Sequence, residues 1–370
     1  MAGTTFDPTG FYRAMDEARS LQVTRDETGW TDRFIAPDRP YEALLAFGCA
    51  VQHTPHLMRE AIAVFETLGI DHYAVTGRQF CCGRPFQRGG HEDAADRISS
   101  KSYERFMAVQ PNVAVQWCGA CMLQYLDVLR EQEAPPFEVI HVTAYLARLL
   151  KERGDAVPWK QPVRARVALH SHATHPQQDV DTASILELFE LIPGVEYRGI
   201  VQPPSAGAPC DLKGPTHVGI LTDITTSEYR QAQAELEDQL HALGADTLVT
   251  PYHACQREWC KFASDRMAIR EWMSLLAEAL GRGVEDRYQT YWQLADPQQI
   301  VEQSRAAWES WGLTEAEALR RAEQHFVPKY AVDVPHCNCG PNGCASACST
   351  DAEADLAQLL WPVGTAAPVR

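Results

Sequence analysis

Five cysteines in the first third of the chain follow the pattern C-x31-C-C-G-x34-C-x2-C; they are Cys49, Cys81, Cys82, Cys118 and Cys121. Thiolates are soft ligands that suit zinc and iron-sulfur clusters. A structural zinc ion takes four ligands, so it would leave one of the five thiols over. Buried free cysteines would lie scattered within apolar runs, whereas these stand beside Gly48, Gly83 and Gly119. The pattern therefore favours an iron-sulfur cluster.

Disulfide bonds are the other chemistry open to these thiols. They require an oxidising compartment, and residues 1–50 contain no charged segment followed by an apolar leader. Twelve cysteines without such a leader predict a reducing, cytoplasmic environment and metal ligation.

Short apolar runs lead to each cysteine position. ALLAF precedes Cys49, HYAV lies shortly before Cys81, and VAVQW leads into Cys118. The segments between these runs have helical periodicity, which predicts an α/β fold with a parallel sheet. Because ligands of such sheets bind beyond the carboxyl ends of the strands, all five thiols are expected to converge on one site.

The cysteine pattern resembles the CCG cysteine-rich domain found in the B-type subunit of heterodisulfide reductase and its relatives. The resemblance spans roughly residues 40–150 and implies two such domains in tandem. It also implies that a noncubane 4Fe-4S cluster is held by Cys49, Cys81, Cys82, Cys118 and Cys121. Reductive cleavage or formation of a disulfide would then take place at the cluster, with Cys81 and Cys82 as the catalytic pair.

The expected domains are a lead-in over residues 1–40, a CCG domain over 41–155 and a degenerate second CCG-like domain over 163–262. A helical extension over 263–330 and a cysteine-rich tail over 331–370 follow. The lead-in contains one short amphipathic helix and no cysteine, so it cannot be a ferredoxin-like domain. We therefore expect electrons to come from partners, which the resemblance implies are an iron-sulfur C-type subunit and a flavin-containing A-type subunit.

The second repeat departs from the family pattern at the ligand positions. Ala173, Pro204, Ser205 and Tyr252 stand where four of the cysteines would be, and only Cys255 remains. A second noncubane cluster is therefore not expected. A mixed set of histidines and cysteines is left, which could hold zinc or another cluster, although a decayed repeat kept for its fold is the favoured interpretation; the set is His170, His172, His175, Cys210, His253, Cys255 and Cys260.

The tail has four closely spaced thiols, Cys337, Cys339, Cys344 and Cys348, in the pattern C-x-C-x4-C-x3-C. Such a glycine-rich loop predicts a metal site, and both zinc and a second iron-sulfur cluster fit the donor set. In the helical extension, Trp272, Trp292, Trp308 and Trp311 are typical of a core, or of a docking surface for a partner.

Histidines and arginines also lie close to the cysteines in the sequence. His53 and His56 are expected at a helix start in contact with solvent. Arg78, Arg84 and Arg88 either belong to a solvated loop or orient an anionic substrate beside the cluster.

The net charge of −16 argues against nucleic acid as a partner, and no apolar stretch is long enough to cross a bilayer. The resemblance implies an oxidoreductase subunit of a heterodisulfide reductase-like complex, which acts on a small disulfide, a persulfide or protein-bound sulfur and requires partner subunits. Two alternatives are an electron-relay component of a lactate or glycolate oxidation complex, and a non-enzymatic scaffold stabilised by metal.

Overall fold

The computed structural model of the chain describes residues 7–131, 135–172, 175–205, 207–208 and 224–329. These residues all belong to one compact unit, Met1–Ala331. The tail cysteines from Cys337 onward lie outside the described residues, as does Cys210. Within the described part there are two parallel four-stranded sheets in tandem, which confirms the predicted α/β class with its repeated unit.

The first sheet has strand order β2-β1-β3-β4, and all its strands are parallel. Its strands are β1 Ala43–Ala46, β2 His72–Val75, β3 Val113–Gln116 and β4 Glu138–His141. Both central strands, β1 and β3, are buried throughout, because helices cover both faces of the sheet. The continuous apolar runs of the sequence thus mark the central strands.

Seven helices accompany this sheet: α1 Pro8–Gln22, α2 Arg25–Thr28, α3 Pro55–Thr67, α4 Arg84–Arg88, α5 Glu92–Val109, α6 Gly119–Glu131 and α7 Val142–Arg153. Asp7 caps α1 by accepting a hydrogen bond from the Thr9 amide at 3.0 Å. Proline occupies the first turn of α1, α3 and α4, where its missing N–H costs nothing. Helices α3, α5 and α6 follow β1, β2 and β3 and return the chain for the next parallel strand.

The second sheet repeats the order as β6-β5-β7-β8. Its strands are β5 Ala165–His170, β6 Val195–Val201, β7 Thr247–Thr250 and β8 Ala268–Glu271, and its helices are α8 Pro176–Leu191, α9 Thr226–Leu243, α10 His253–Trp259 and α11 Trp272–Ala279. Strand β8 therefore falls within residues 263–330, for which a helical extension was expected. Residues 268–271 complete the second sheet because Ile269 and Glu271 alternate with more exposed neighbours, as in a strand.

Four more helices follow: α12 Arg287–Leu294, α13 Pro297–Gln303, α14 Arg305–Ser310 and α15 Glu315–His325. Trp272, Trp292 and Trp308 are buried, and the partly buried Trp311 donates a hydrogen bond to the Val23 carbonyl at 2.8 Å. Three of the four tryptophans thus belong to the core, which is one of the two expected roles. None of the described helices combines the length and apolar character needed to cross a membrane.

A hydrophobic core joins the two halves. Helix α3 packs against α11, and α7 packs against α8. Buried side chains of both sheets contribute to this core, including Leu45 and Val115 from the first and Val167 and Val249 from the second. The loop after β3 also contacts the loop after β7, since a Cβ on Gly119 would lie 2.9 Å from the Tyr252 ring.

Candidate metal centre

The five predicted cysteines come together at one edge of the first sheet. Cys49 follows β1, the Cys81–Cys82 pair follows β2, and Cys118 and Cys121 follow β3. These strands are neighbours and run parallel, so their carboxyl ends meet at the same edge. Four of the thiols are buried, and Cys118 is partly buried.

Contacts between sulfur atoms run through the whole set. The Sγ atoms of Cys49 and Cys81 lie 3.9 Å apart. Cys81 interacts with the adjacent Cys82, Cys82 interacts with Cys121, and Cys121 interacts with Cys118. Five thiols from three loops therefore form one continuous cluster of donors.

Two glycines permit this close approach. Gly48 has a φ of +74°, and a Cβ at this position would lie 2.8 Å from the Cys121 Sγ. Gly83 has a φ of +82°, and its Cβ would lie 2.4 Å from the Ala95 carbonyl oxygen. Only glycine adopts such backbone angles without strain and leaves room for these neighbours. The glycine of each motif thus turns the chain and lets the sulfur atoms meet.

The pKa values of the thiols shift in opposite directions, because neighbouring sulfurs share protons. A hydrogen bond from Cys49 lowers the pKa of Cys81, and one from Cys121 lowers the pKa of Cys118. The same two bonds, together with burial, raise the pKa values of Cys49 and Cys121. All five protons can leave together only if a cation balances the charge, as a bound metal does for its thiolate ligands.

Helix α1 covers the Cys49 and Cys81 side of the site. Phe11 and Met15 pack with Cys49, Cys81 and Phe86 in one hydrophobic cluster. The Tyr12 hydroxyl forms a hydrogen bond to the Cys81 sulfur. Burial raises the pKa of Tyr12, and the nearby Cys81 and Cys49 sulfurs raise it further. Tyr12 therefore stays protonated and acts as a donor to the thiolate.

The three arginines near the CCG turn have different surroundings. Arg78 forms an ion pair with Asp16 of α1, and its guanidinium lies 5.4 Å from the centroid of the Tyr12 ring. Arg84 is partly buried, and its Nε is a buried atom that lacks a hydrogen-bond partner among the described residues. Arg88 is exposed. Arg78 thus holds α1 over the site, whereas Arg84 keeps a buried N–H group without a partner among the described residues.

The two histidines that follow Cys49 are buried, so the expected solvent contact is wrong. His53 is fully buried, and burial lowers its pKa well below the ordinary value. His56 Nδ1 lies 3.3 Å from a carboxylate oxygen of Asp286. Their loop is covered by α1 and α10, which sequence periodicity alone does not reveal.

A buried polar network lies between the two halves, beside Cys118. Tyr252 donates a hydrogen bond to Asp181 at 2.7 Å, and Asp181 lies 3.2 Å from His141 Nδ1. His141 Nε2 donates to the Trp117 carbonyl at 3.1 Å, one residue before Cys118. These groups connect the five-cysteine site to the second half through short polar contacts.

The second half brings together only part of the predicted histidine and cysteine set. His170, His172 and Cys255 have donor atoms within 4.8 Å of one another. His175 instead caps α8, where its Nδ1 accepts a hydrogen bond from the Gln177 amide. Cys260 is buried, and its Sγ lies 3.5 Å from the Arg257 carbonyl oxygen.

Comparison with known families identifies the segment that carries the five thiols. The family model for the cysteine-rich domain called CCG matches residues 44–125. We call residues 44–125, which match this model, the CCG domain. The predicted resemblance is thereby confirmed for this part of the chain.

Proteins similar to this chain include subunits of heterodisulfide reductases. The D-type subunit of the dihydromethanophenazine:CoB–CoM heterodisulfide reductase of Methanosarcina barkeri is 22% identical over 274 residues, which cover 70% of this chain and 64% of the relative. An uncharacterised iron-sulfur protein of Methanocaldococcus jannaschii is 26% identical over 156 residues, or 41% of this chain and 29% of that protein. This chain thus spans less than two thirds of the length of each of these relatives.

A solved structure of an aspartate racemase homologue from Pyrococcus horikoshii OT3 aligns with 65% of this chain and 97% of its own, at 12% identity. The TM-score of 0.29 is too low to support any comparison of sites.

The donor set of the CCG domain fits a thiolate-ligated iron-sulfur cluster. Five converging sulfurs exceed the four ligands of a structural zinc ion, and mutual contacts couple the protons of all five. Two groups next to the site were missed from the sequence, Tyr12 and the His141–Asp181–Tyr252 network. Tyr12 lies in a stretch without cysteine, and the network joins residues far apart in the chain, so neither left a local signal.

Proposed function

We propose that this chain is an iron-sulfur component of a heterodisulfide reductase-like complex, in which the CCG domain exchanges electrons with a disulfide or another sulfur species. The observation that carries the proposal is the convergence of five sulfur atoms from three neighbouring strand ends. Similarity to heterodisulfide reductase subunits supports it. The reductase relatives are D-type subunits, and a B-type role for this chain is part of the proposal.

The proposed ligands are Cys49, Cys81, Cys82, Cys118 and Cys121, and the group that they would hold is a noncubane 4Fe-4S cluster. When bound, such a cluster would supply, one at a time, the two electrons that cleave a sulfur-sulfur bond, or would accept the two electrons released when such a bond forms. Cys81 and Cys82 point to different neighbours: Cys81 contacts Cys49 and Tyr12, whereas Cys82 contacts Cys121. The adjacent thiols therefore link the two ends of the donor set.

The protein around the thiols controls water and charge. Phe11, Met15 and Phe86 exclude water from the Cys49 and Cys81 side. Tyr12 donates a hydrogen bond to Cys81, which stabilises negative charge on that sulfur. Cys118 is the only one of the five thiols that is not fully buried, so we assign the approach of the substrate to its side.

An anionic substrate would meet Arg84 near the CCG turn. Its guanidinium carries a permanent positive charge, which suits a carboxylate or phosphate group on a sulfur substrate, and its buried Nε has no hydrogen-bond partner among the described residues. Partner subunits of the C type and the A type would supply or accept electrons, as proposed from the sequence. The two alternatives, an electron relay in a lactate or glycolate oxidation complex and a metal-stabilised scaffold, predict no response of the cluster to sulfur substrates.

The test of the proposal is metal analysis of the anaerobically purified chain with electron paramagnetic resonance. Cys81→Ala or Cys82→Ala should remove iron and sulfide and abolish the noncubane signal, because each thiol contacts two others of the set. Cys260→Ala is the matched control, since Cys260 is buried but lies apart from the five thiols, and it should retain both iron and signal. Equal iron in all variants would contradict the proposed ligand set.

A further inference from the structure

Three donor groups meet at the carboxyl edge of the second sheet. His170 ends β5, His172 follows two residues later, and Cys255 lies in the first turn of α10 after β7. The Nε2 atoms of His170 and His172 are 3.3 Å apart, and His172 Nε2 is 3.1 Å from the Cys255 Sγ. His170 and Cys255 are buried, and His172 is partly buried. None of the three belongs to the CCG domain.

Strand pairing places this triad where the five-cysteine site lies in the first half. Leu45 pairs with Val115 in the first sheet, and Leu169 pairs with Val249 in the second. Counting from these pairs, Cys255 corresponds to Cys121, and His172 corresponds to Gly48. Gly48 is the residue whose missing Cβ leaves room for the Cys121 sulfur. In the second half an imidazole occupies that room and approaches the equivalent sulfur.

Two of the three donor separations lie near those expected for ligands around one ion. Zinc bonds of ~2.0–2.1 Å to nitrogen and ~2.3 Å to sulfur place tetrahedral ligands about 3.3 Å apart for two nitrogens and about 3.5 Å apart for nitrogen and sulfur. The observed separations are 3.3 Å and 3.1 Å. Hydrogen bonds alone explain these two short distances poorly. His172 Nε2 carries either one proton or one lone pair, so it can form only one normal hydrogen bond, yet it lies close to both His170 and Cys255.

We propose that His170, His172 and Cys255 bind one divalent transition-metal ion of the zinc class. Two imidazoles and one thiolate are borderline-soft donors, which suit zinc better than the oxygen-seeking magnesium or calcium. Three ligands from the described residues leave the fourth tetrahedral position for water or for a further donor such as a substrate thiolate. This differs from the favoured sequence interpretation, in which the second repeat is kept only for its fold.

Neighbouring aromatic residues hold the imidazoles in place. The centroids of the Trp259 and His170 rings lie 4.2 Å apart, and those of the Tyr252 and His172 rings lie 5.8 Å apart. Asp181 in turn accepts a hydrogen bond from the Tyr252 hydroxyl. Such outer contacts orient metal ligands, and their loss weakens metal binding. Because zinc has no redox chemistry, the ion would act as a Lewis acid beside the site proposed to carry electrons.

The experiment measures zinc, copper, cobalt, nickel and iron in the anaerobically purified full-length chain and in four variants. Cys255→Ser and His172→Ala should each lose about one zinc ion per chain, since a tetrahedral site rarely survives loss of a ligand. Cys260→Ser and His175→Ala are matched controls that should keep it. Absorption at the zinc X-ray edge should show nitrogen and sulfur neighbours, with the sulfur contribution reduced in Cys255→Ser. Iron content and the iron signal should be unchanged in all four variants.

Three results would overturn the proposal. The first is equal zinc content in wild-type protein from zinc-supplemented cells and in the Cys255→Ser and His172→Ala variants. The second is wild-type protein that contains no metal other than iron. The third is loss of iron together with zinc in folded Cys255→Ser, which would assign Cys255 to an iron cluster. If Cys255→Ser fails to fold, the partly buried His172→Ala decides alone. Because the readout is zinc, failure here is distinguishable from failure of the proposed reductase function, whose readout is iron.

Discussion

At the scale of single residues, Gly48 shows how a missing side chain can shape a metal site. Its positive φ turns the chain after β1, and a Cβ at this position would lie 2.8 Å from the Cys121 sulfur. Any Cβ would press on one of the five proposed ligands. Cysteine spacing identified the thiols from sequence alone, because strand ends are local features. The sequence did not show that the missing side chain of Gly48 leaves room for Cys121, since these residues are 73 positions apart.

Gly48→Ala should reduce the iron content of the purified protein severely, because the new methyl group would displace the Cys121 sulfur. Gly69→Ala is the control: Gly69 also has a positive φ, +63°, but nothing lies within 4 Å of its Cβ position. Both substitutions carry a backbone penalty of about 1–2 kcal/mol. Iron analysis reports the loss of the cluster, and a thermal unfolding scan reports the loss of stability from backbone strain. Similar iron loss in both variants would show that backbone strain, and not contact with Cys121, is responsible.

Tyr12→Phe should lower the reduction potential of the cluster. The hydroxyl donates a hydrogen bond to the Cys81 sulfur, and such bonds stabilise the more negative, reduced state. A charge-assisted hydrogen bond contributes about 1.5–3 kcal/mol, so the shift should be roughly 60–130 mV, with about 59 mV for each tenfold change in a one-electron equilibrium. A redox titration followed by paramagnetic resonance measures it. Tyr197→Phe in the second sheet is the control. Equal reduction potentials in the two variants would show that Tyr12 forms no hydrogen bond to the cluster ligands.

At the scale of elements, α1 is the part of the molecule whose role the sequence concealed. Its periodicity predicted a short amphipathic helix, and the structure has that helix at Pro8–Gln22. An apolar stripe shows that a helix has a partner but not which partner. In the folded chain the stripe meets the Cys49 and Cys81 loops, and Arg78 pairs with Asp16 on the same helix. The short strand β8 was missed for a related reason, since four residues are too few to distinguish a strand from a helix.

Phe11→Ala should speed the loss of cluster iron in air. Removing a buried phenyl ring costs about 3–5 kcal/mol and leaves a cavity beside Cys81. Oxygen and water then reach sulfurs that α1 normally shields. The measurement is the decay of cluster absorbance after exposure of the anaerobic protein to air. Ile35→Ala serves as the control because Ile35 is largely exposed, and a decay as fast in this variant would mean that α1 does not protect the site.

At the scale of the whole molecule, the two halves share buried acids as well as a hydrophobic core. Glu60 of α3 accepts hydrogen bonds from Ser274 Oγ at 2.6 Å and from the Val284 amide at 3.0 Å. Glu271 accepts one from the Met273 amide at 2.6 Å. Burial raises the pKa values of both carboxyls, and the charge of Glu60 raises that of Glu271 further. Each carboxyl therefore holds its proton more tightly than an exposed glutamate does.

These raised pKa values predict a pH dependence of stability. A carboxyl whose folded pKa is above its unfolded value binds its proton more tightly when folded. Its contribution to stability is complete below the unfolded pKa of about 4.3 and is lost as the pH rises through the folded pKa. Glu271→Gln keeps an acceptor for the Met273 amide and has no charge to bury, so the midpoint of unfolding should fall less between pH 5 and pH 8.

Thermal scans at several pH values check this prediction, with a shift of roughly 2–4 °C for each kcal/mol. Glu302→Gln is the control because Glu302 is exposed. If Glu271→Gln follows the same pH curve as wild type, the buried carboxyl does not limit stability.

The pairing of two halves also explains what the sequence could and could not predict about the site. The sequence showed that the second repeat has lost ligand positions, since Ala173 and Tyr252 replace cysteines and only Cys255 remains. His170, His172 and Cys255 were among the seven donors named from the sequence, but nothing in the sequence singled out these three, because they meet only through the pairing of β5 with β7. Repetition thus revealed the architecture, whereas the chemistry of the second half depended on contacts between distant strands.

The most direct test of the central claim is the response of the cluster signal to sulfur compounds. Anaerobic protein with full iron content is titrated with an oxidant in the presence of a thiol, a disulfide or a persulfide, and the paramagnetic resonance spectrum is recorded. We predict that at least one of these compounds perturbs the cluster signal, and that Arg84→Ala weakens the response to an anionic compound without loss of iron. A spectrum indifferent to every sulfur compound tried, in protein with its iron complete, would contradict the proposed function and would favour the scaffold.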